Sequence, residues 1–207
     1  DTDTLIVIAM TGIIMLFLSG AKVRNITIIC LIMLTLVASI AYIRPYARQR
    51  ILTFFDSSID PQGSGYQIQQ SLIAIGSGGF GGRGYGQSIQ KFNYLPEPIG
   101  DSVFAVASEE FGFVGSFILI LLFIFFLYKT IRISAHTEDI FGRLLIVGIA
   151  ILIVVESFMN ISSMLGIIPL SGMPLLFISH GGTALIITLG AVGIIANRNT
   201  VPGDELP

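Results

Sequence analysis

The chain has 207 residues, of which 53% are hydrophobic and 12% are charged; that charged share is about half of the roughly 25% typical of soluble domains. Acidic and basic residues nearly cancel, with a formal net charge of −2, so the composition excludes a disordered chain and offers no basic surplus for nucleic acid. The single cysteine excludes an internal disulfide. We therefore predict an integral membrane protein with no nucleic-acid partner.

Five apolar runs are close to the roughly 20 residues that a helix needs to cross a bilayer. They lie at 5–21, 26–43, 111–128, 144–159 and 176–196. Because they are continuously apolar rather than alternating, they favour helices over the strands of a barrel. We predict an all-α integral membrane protein with about five transmembrane helices. The first run follows two aspartates and no basic leader, so we interpret it as a helix within a longer protein and not as a cleaved signal peptide.

The basic residues between the runs predict the orientation of the chain. Those that follow the first, third and fifth runs are Lys22, Arg24, Lys129, Arg132, Arg143 and Arg198. An alternating topology places all of them on one side, which we assign as cytoplasmic, and the opposite short loop 160–175 has no Lys or Arg. The long loop 44–110 is then extracytoplasmic, since loops beyond about 60 residues cross largely regardless of charge.

The long loop contains two short segments that are predicted to form amphipathic helices. Segment 45–60 mixes Arg48 and Arg50 with apolar residues, which suits a helix on the membrane surface. In segment 66–75 the apolar residues recur with helical spacing. The glycine-rich segment 76–86 follows, and it is either a flexible hinge or a backbone that approaches a phosphate closely, with Arg83 adding charge. No strand precedes its G-x-G-x-x-G pattern, so we predict no dinucleotide site and no organic cofactor.

Several polar residues after the glycines allow two interpretations each. Asp101, which follows a proline-stiffened segment, is either the N-cap of the next helix or a general base at the membrane surface. Glu109 and Glu110 are either solvated interfacial charges or contacts to a cation or a sugar. The small residues around Ser179-His180-Gly181-Gly182 favour helix packing or, as the alternative, contact with a ligand. Glu156, inside the fourth run, needs a partner or a wet cavity.

The order of several short motifs resembles that of one family. In the long loop these motifs are Gln69-Gln70-Ser71, Ser77-Gly78-Gly79, Gly84-Tyr85-Gly86-Gln87-Ser88, Gln90-Lys91, Tyr94-Leu95-Pro96-Glu97, Asp101 with Phe104-Ala105-Val106, and Glu109-Glu110-Phe111-Gly112. A second group comprises Asn160-Ile161, Gly166, Pro169, Gly172, Pro174 and Phe177-Ile178-Ser179-His180-Gly181-Gly182. Asp1-Thr2-Asp3-Thr4 is similar to the end of a P-D-x-G-T motif. Together they resemble the SEDS polymerases of the FtsW/RodA/SpoVE group, and segment 94–98 is closer to the FtsW branch.

The resemblance implies a fold of ten transmembrane helices, of which this chain matches helices six to ten. Residues 1–207 would then be the C-terminal half of one membrane domain, with two helices in 5–43, a catalytic extracytoplasmic loop at 44–110 and three helices in 111–196. The implied enzyme is a multi-pass protein of the bacterial plasma membrane. It would polymerise peptidoglycan glycan strands from lipid II and release undecaprenyl pyrophosphate, in cell division or elongation. We expect the chain to be inactive without the other half.

The resemblance also implies the roles of the candidate residues. Asp101 aligns with the essential loop aspartate and would be the general base. The leaving pyrophosphate needs positive charge, from Arg83, Lys91 or a bound Mg²⁺ or Mn²⁺. The other candidate contacts to the substrate are Glu97, Glu109, Glu110, Ser179 and His180. The implied partners are lipid II, the nascent glycan, a class B penicillin-binding protein that acts as transpeptidase, and other divisome or elongasome membrane proteins.

The chain departs from the family pattern at three places. Ile99-Gly100 stands where the family usually has His-Thr, Glu156 replaces a usual Gln, and His180 replaces a usual Tyr. The first departure puts in doubt a role for that pair in placing the base, and the others can alter cavity charge and pH dependence. Two other functions stay open: a flippase or transporter of a lipid-linked precursor, favoured by broken helices and Glu156, and a non-catalytic membrane scaffold for a transpeptidase.

Overall fold

The computed structural model describes residues 2–92 and 94–199, and these ranges contain α-helices and no strand. The helices are α1 (Thr2–Leu18), α2 (Val23–Ile43), α3 (Pro45–Phe55), α4 (Ser64–Gly78), α5 (Val103–Ala135), α6 (Ile140–Met164) and α7 (Gly182–Asn199). The prediction of an all-α protein is confirmed. Asp1, Asn93 and residues 200–207, which the predicted domain 1–207 includes, lie outside the described residues.

Three of the described helices, α2, α5 and α6, are long and apolar enough to cross a membrane, whereas α1 and α7 are apolar but shorter. The fifth predicted span, 176–196, begins too early, because the helix starts only at Gly182. Phe177 has a φ of 70°, a left-handed conformation that an α-helix cannot contain. Residues 176–181 therefore form an irregular connection rather than the first turn of a span, and the number of five spans stays a prediction.

The two predicted helices of the long loop are both present. Segment 45–60 forms α3 and a 3₁₀ turn at Ser57–Ile59, and segment 66–75 lies within α4. Pro45 occupies the first turn of α3, where its missing N–H costs no hydrogen bond. Asp56 ends α3, and its carboxylate accepts a hydrogen bond from the Ser58 N–H at 3.0 Å. The chain therefore turns sharply between α3 and α4.

The main core joins the loop to the membrane helices. Helix α5 packs against α4 and α6, and α1 packs against α6. The buried core residues are Ile68, Phe104, Phe123, Ile161, Met164, Leu170 and Leu175. They come from α4, α5, α6 and the segment after α6, so the core fixes the start of α5 relative to α4, α6 and that segment. The residue just before that start is therefore held at a defined place.

The glycine-rich segment packs directly on a break in α5. Gly112 has a φ of 65° and interrupts the helix, and a Cβ atom there would lie 2.2 Å from the Gly82 nitrogen. The N–H of Phe113 donates to the Gly79 carbonyl at 2.9 Å, so the break in the helix leaves this donor satisfied. These glycines permit two backbones to touch, which neither the hinge nor the phosphate interpretation had included.

Candidate active site

Asp101 lies in a tight turn immediately before α5. The N–H groups of Gly100 and Ser102 donate to the Glu97 carbonyl at 3.0 and 3.2 Å, and Glu97 has a φ of 47°. The N-cap residue of α5 is Ser102, and no side chain caps the helix. The interpretation of Asp101 as an N-cap is therefore wrong, and its carboxylate is available for other contacts.

The two oxygens of the half-buried Asp101 carboxylate have different surroundings. Oδ1 accepts hydrogen bonds from Gln67 Nε2 and from Ser102 Oγ, both at 3.2 Å. Oδ2 has no hydrogen-bond partner within the described ranges. Burial raises the pKa of the Asp101 carboxyl above its ordinary 3.8, and the charge of Glu97 raises it further, whereas the bonds from Gln67 and Ser102 oppose this shift. One oxygen is thus fixed and the other is free to accept a proton.

The backbone of the Asp101 turn is held by residues far along the chain. Asn160, fully buried in α6, donates through Nδ2 to the carbonyls of Asp101 and Met173 at 2.6 and 2.7 Å. Ser179 Oγ donates to the Gly100 carbonyl at 2.6 Å. The N–H of His180 donates to the Ile99 carbonyl at 2.8 Å, while its ring is exposed. Ser179 and His180 therefore position the turn, and their direct contact with a substrate stays a prediction.

Four of the predicted contact residues form two ion pairs. Arg83 Nε lies 3.3 Å from Glu109 Oε1, and Lys91 Nζ lies 2.6 Å from Glu110 Oε1. Both glutamates are buried, with 0% and 6% of their surface exposed, so the interpretation as solvated charges is wrong. Glu109 also accepts a hydrogen bond from Ser88 Oγ at 2.6 Å. These contacts fasten segment 83–91 to α5.

The two ion pairs lie away from Asp101. Helix α5 rises roughly 9 Å between Val103 and Glu109 at 1.5 Å per residue, and Asp101 precedes Val103. The described residues include no group of three or more His, Cys, Asp or Glu that could hold a metal ion. A Mg²⁺ or Mn²⁺ ion near Asp101 would therefore depend largely on substrate phosphates and water for its ligands.

A basic residue that sequence reasoning did not select lies closer to Asp101. Arg50 Nη1 forms an ion pair with Asp3 Oδ2 at 2.6 Å. A Cβ atom built on Gly172 would be 3.5 Å from Arg50 Nη2 and 4.0 Å from Asp101 Oδ2. These two atoms are therefore at most 7.5 Å apart, the sum of the two distances. No local sequence pattern could have indicated that the two side chains lie close together, because Arg50 and Asp101 are 51 positions apart in the sequence.

The comparisons with known proteins agree with the fold and with the predicted family. The family model FtsW/RodA/SpoVE, described as "Cell cycle protein", matches residues 1–201. Stage V sporulation protein E of Bacillus subtilis (strain 168) is 42% identical over 95% of this chain and 54% of its own length. A probable peptidoglycan glycosyltransferase FtsW of Geobacter sp. (strain M18) is 38% identical over 97% of the chain and 54% of its own length.

A third relative is the peptidoglycan glycosyltransferase MrdB of Escherichia coli (strain K12), 37% identical over 97% of this chain and 55% of its own length. The chain thus spans about half the length of these curated relatives, and its resemblance to them extends across the membrane helices and the long loop alike. The similarity predicted from the loop motifs is confirmed: the chain belongs to the FtsW/RodA/SpoVE family.

Proposed function

We propose that the protein containing this chain is a peptidoglycan glycosyltransferase that extends glycan strands from lipid II, with Asp101 as its general base. Relatives that bear the name peptidoglycan glycosyltransferase support the reaction class. The observation that carries the proposal is the Asp101 carboxylate, which is half-buried, fixed through Oδ1 and free at Oδ2. Its raised pKa suits a base, because a base works best when its pKa approaches the operating pH.

In the proposed reaction, the 4-hydroxyl of the acceptor sugar attacks C1 of the lipid-linked sugar. A new C1–O bond forms, the bond from C1 to the diphosphate breaks, and undecaprenyl diphosphate leaves with the bonding electrons. The hydroxyl proton passes to Asp101 Oδ2, while Gln67 and Ser102 keep the carboxylate oriented through Oδ1. Proton transfer to a positioned base typically accelerates such a step about 10²–10⁴-fold.

The leaving diphosphate gathers negative charge, which positive groups would stabilise. Arg83 and Lys91 are each paired with a buried glutamate, so much of their charge is already neutralised at their present positions. A Mg²⁺ or Mn²⁺ ion would supply positive charge to the diphosphate oxygens when bound. We also propose that the long loop is extracytoplasmic in a multi-pass protein of the bacterial plasma membrane, and that a class B penicillin-binding protein and other divisome or elongasome proteins are partners.

The proposed function is tested by the substitution Asp101→Asn in the full-length protein. Asparagine keeps an oxygen for Gln67 and Ser102 but cannot accept the proton, so polymerisation of purified lipid II should fall by about 10²–10⁴-fold. Asp56→Asn is the matched control, because Asp56 lies exposed in the same loop and should retain wild-type activity. A folded Asp101→Asn protein with near-normal product would refute the role of Asp101 as base.

A further inference from the structure

One face of the later part of α5 carries apolar, aromatic and basic side chains in that order along the helix. Its residues are Ile118, Leu121, Leu122, Phe125, Tyr128, Lys129 and Arg132, and all of them are exposed. They follow the spacing i, i+3, i+4, i+7 twice in succession, which places side chains on one side of an α-helix. We call this surface the α5 stripe.

The α5 stripe runs from the apolar part of the helix to its charged end. At 1.5 Å per residue, α5 rises roughly 26 Å from its break at Gly112 to Lys129, and the hydrocarbon core of a bilayer is about 30 Å thick. Lys129 and Arg132 therefore lie near a membrane surface, at the end of α5 that is remote from Asp101. The proposed orientation of the chain places this end on the cytoplasmic side.

Both basic side chains of the stripe lie over aromatic rings one turn earlier in the helix. Lys129 Nζ is 5.5 Å from the centroid of the Phe125 ring, and Arg132 Cζ is 5.3 Å from that of the Tyr128 ring. A cation at this distance is attracted to the face of the ring, and residues three apart on a helix are neighbours. Two positive charges are therefore held side by side, next to the apolar part of the stripe.

These two positive charges have no acidic partner among the residues that the structure describes. Neither Lys129 nor Arg132 takes part in any of the ion pairs found there. The nearest acidic residues along the chain are Glu138 and Asp139, and the Asp139 carboxylate accepts hydrogen bonds from the first N–H groups of α6 at 3.2 and 2.8 Å. Asp139 thus caps α6, and the charge at the end of the stripe stays positive.

We propose that the α5 stripe binds an anionic phospholipid, whose phosphate contacts Lys129 and Arg132 and whose acyl chain lies along Ile118 and Leu122. Charge complementarity selects this ligand, because basic residues near a membrane surface attract anionic lipids and aromatic rings favour the headgroup level. A zwitterionic lipid carries its own ammonium group and would leave the charge of the stripe uncompensated. The site is remote from Asp101, so the proposal goes beyond the glycosyltransferase function and does not depend on it.

The test measures the Kd of phosphatidylglycerol and of phosphatidylcholine for the purified full-length protein in detergent by native mass spectrometry. Lys129→Gln and Arg132→Gln should each weaken phosphatidylglycerol binding about fivefold, and the double variant about thirtyfold, with phosphatidylcholine binding unchanged. Tyr128→Leu removes the ring below Arg132 and should weaken phosphatidylglycerol binding about two- to fivefold. Arg143→Gln is the matched control, because it removes the same charge from an exposed residue near the start of α6, off the stripe, and it should leave the Kd unchanged.

Three results would overturn the proposal: equal Kd values of the wild type for the two lipids, equal weakening by Lys129→Gln and Arg143→Gln, or displacement of the lipid by inorganic phosphate at equal concentration. The first is expected if an acidic protein segment covers the stripe, the second if net charge alone attracts the lipid, and the third if the apolar part of the stripe contributes nothing. The substituted side chains are all exposed, so the variants should fold, which circular dichroism checks. The assay needs no turnover, so its outcome is independent of the role of Asp101.

Discussion

The buried amide of Asn160 provides the sharpest test of how the active-site turn is held. Asn160→Ala removes the hydrogen bonds to the carbonyls of Asp101 and Met173, which measure 2.6 and 2.7 Å. Each of the two carbonyls that is left unsatisfied costs about 1–3 kcal/mol. The substitution also removes the Asn160 Oδ1 atom, which is buried without a partner in the described part of the chain, and this offsets part of the loss. We expect a net destabilisation of about 2–4 kcal/mol.

The matched control is Ser157→Ala, one turn earlier on α6. Ser157 is as fully buried as Asn160, but its hydroxyl donates only to the Ile153 carbonyl within its own helix, at 2.8 Å, so its loss should cost about 0.5–1.5 kcal/mol. Unfolding of the full-length variants in detergent, followed by circular dichroism as SDS is added, measures both values. Lipid II polymerisation below the transition should fall only for Asn160→Ala. Equal stability and equal activity of the two variants would contradict the conclusion that Asn160 holds the Asp101 turn.

Two further predictions concern the pH dependence and the packing of the glycine segment. If deprotonated Asp101 is the base, activity should fall as the pH drops through the raised pKa of its carboxyl, so the acidic limb of the pH–rate profile lies above pH 3.8. Glu97→Gln removes a negative charge that raises this pKa, so it should move the acidic limb to lower pH. An acidic limb at the same pH in both proteins would contradict this role of Glu97. Gly112→Ala should destabilise the protein by about 2–4 kcal/mol, since its Cβ would lie 2.2 Å from the Gly82 nitrogen at a positive φ. Gly190→Ala is the control, because a Cβ atom there would meet open space, and its melting temperature should match that of the wild type. Equal melting temperatures of the two variants would contradict the proposed packing of Gly112 on Gly82.

The helices could be predicted from the sequence because each depends on a continuous local pattern. The apolar runs and the helical spacing of 66–75 led to elements that the structure contains. The start of the last span could not be predicted in the same way, because residues 176–181 are apolar enough for a helix. Their backbone is instead held by tertiary hydrogen bonds, such as the one from Ser179 Oγ to Gly100. Such bonds override local propensity.

The surroundings of Asp101 could be predicted only in part. The carboxylate itself was selected from its place after the prolines and from the family motif, but the residues that position it are distant in sequence. Gln67, Asn160 and Ser179 reach the turn across separations of 34 to 79 residues. Polar residues within apolar helices predict that a partner exists and do not identify it. The ion pairs of Glu109 and Glu110 illustrate the same limit, because their partners, Arg83 and Lys91, lie 26 and 19 residues earlier in a loop.

The Asp3–Arg50 pair also bears on how Asp101 keeps a raised pKa beside a basic residue. A cation within 7.5 Å would ordinarily lower the pKa of a carboxyl and make it a weaker base. Here the Asp3 carboxylate, 2.6 Å from Arg50, opposes the positive charge of the guanidinium. With this acidic partner for Arg50, the base and the cation can share the small space above Gly172.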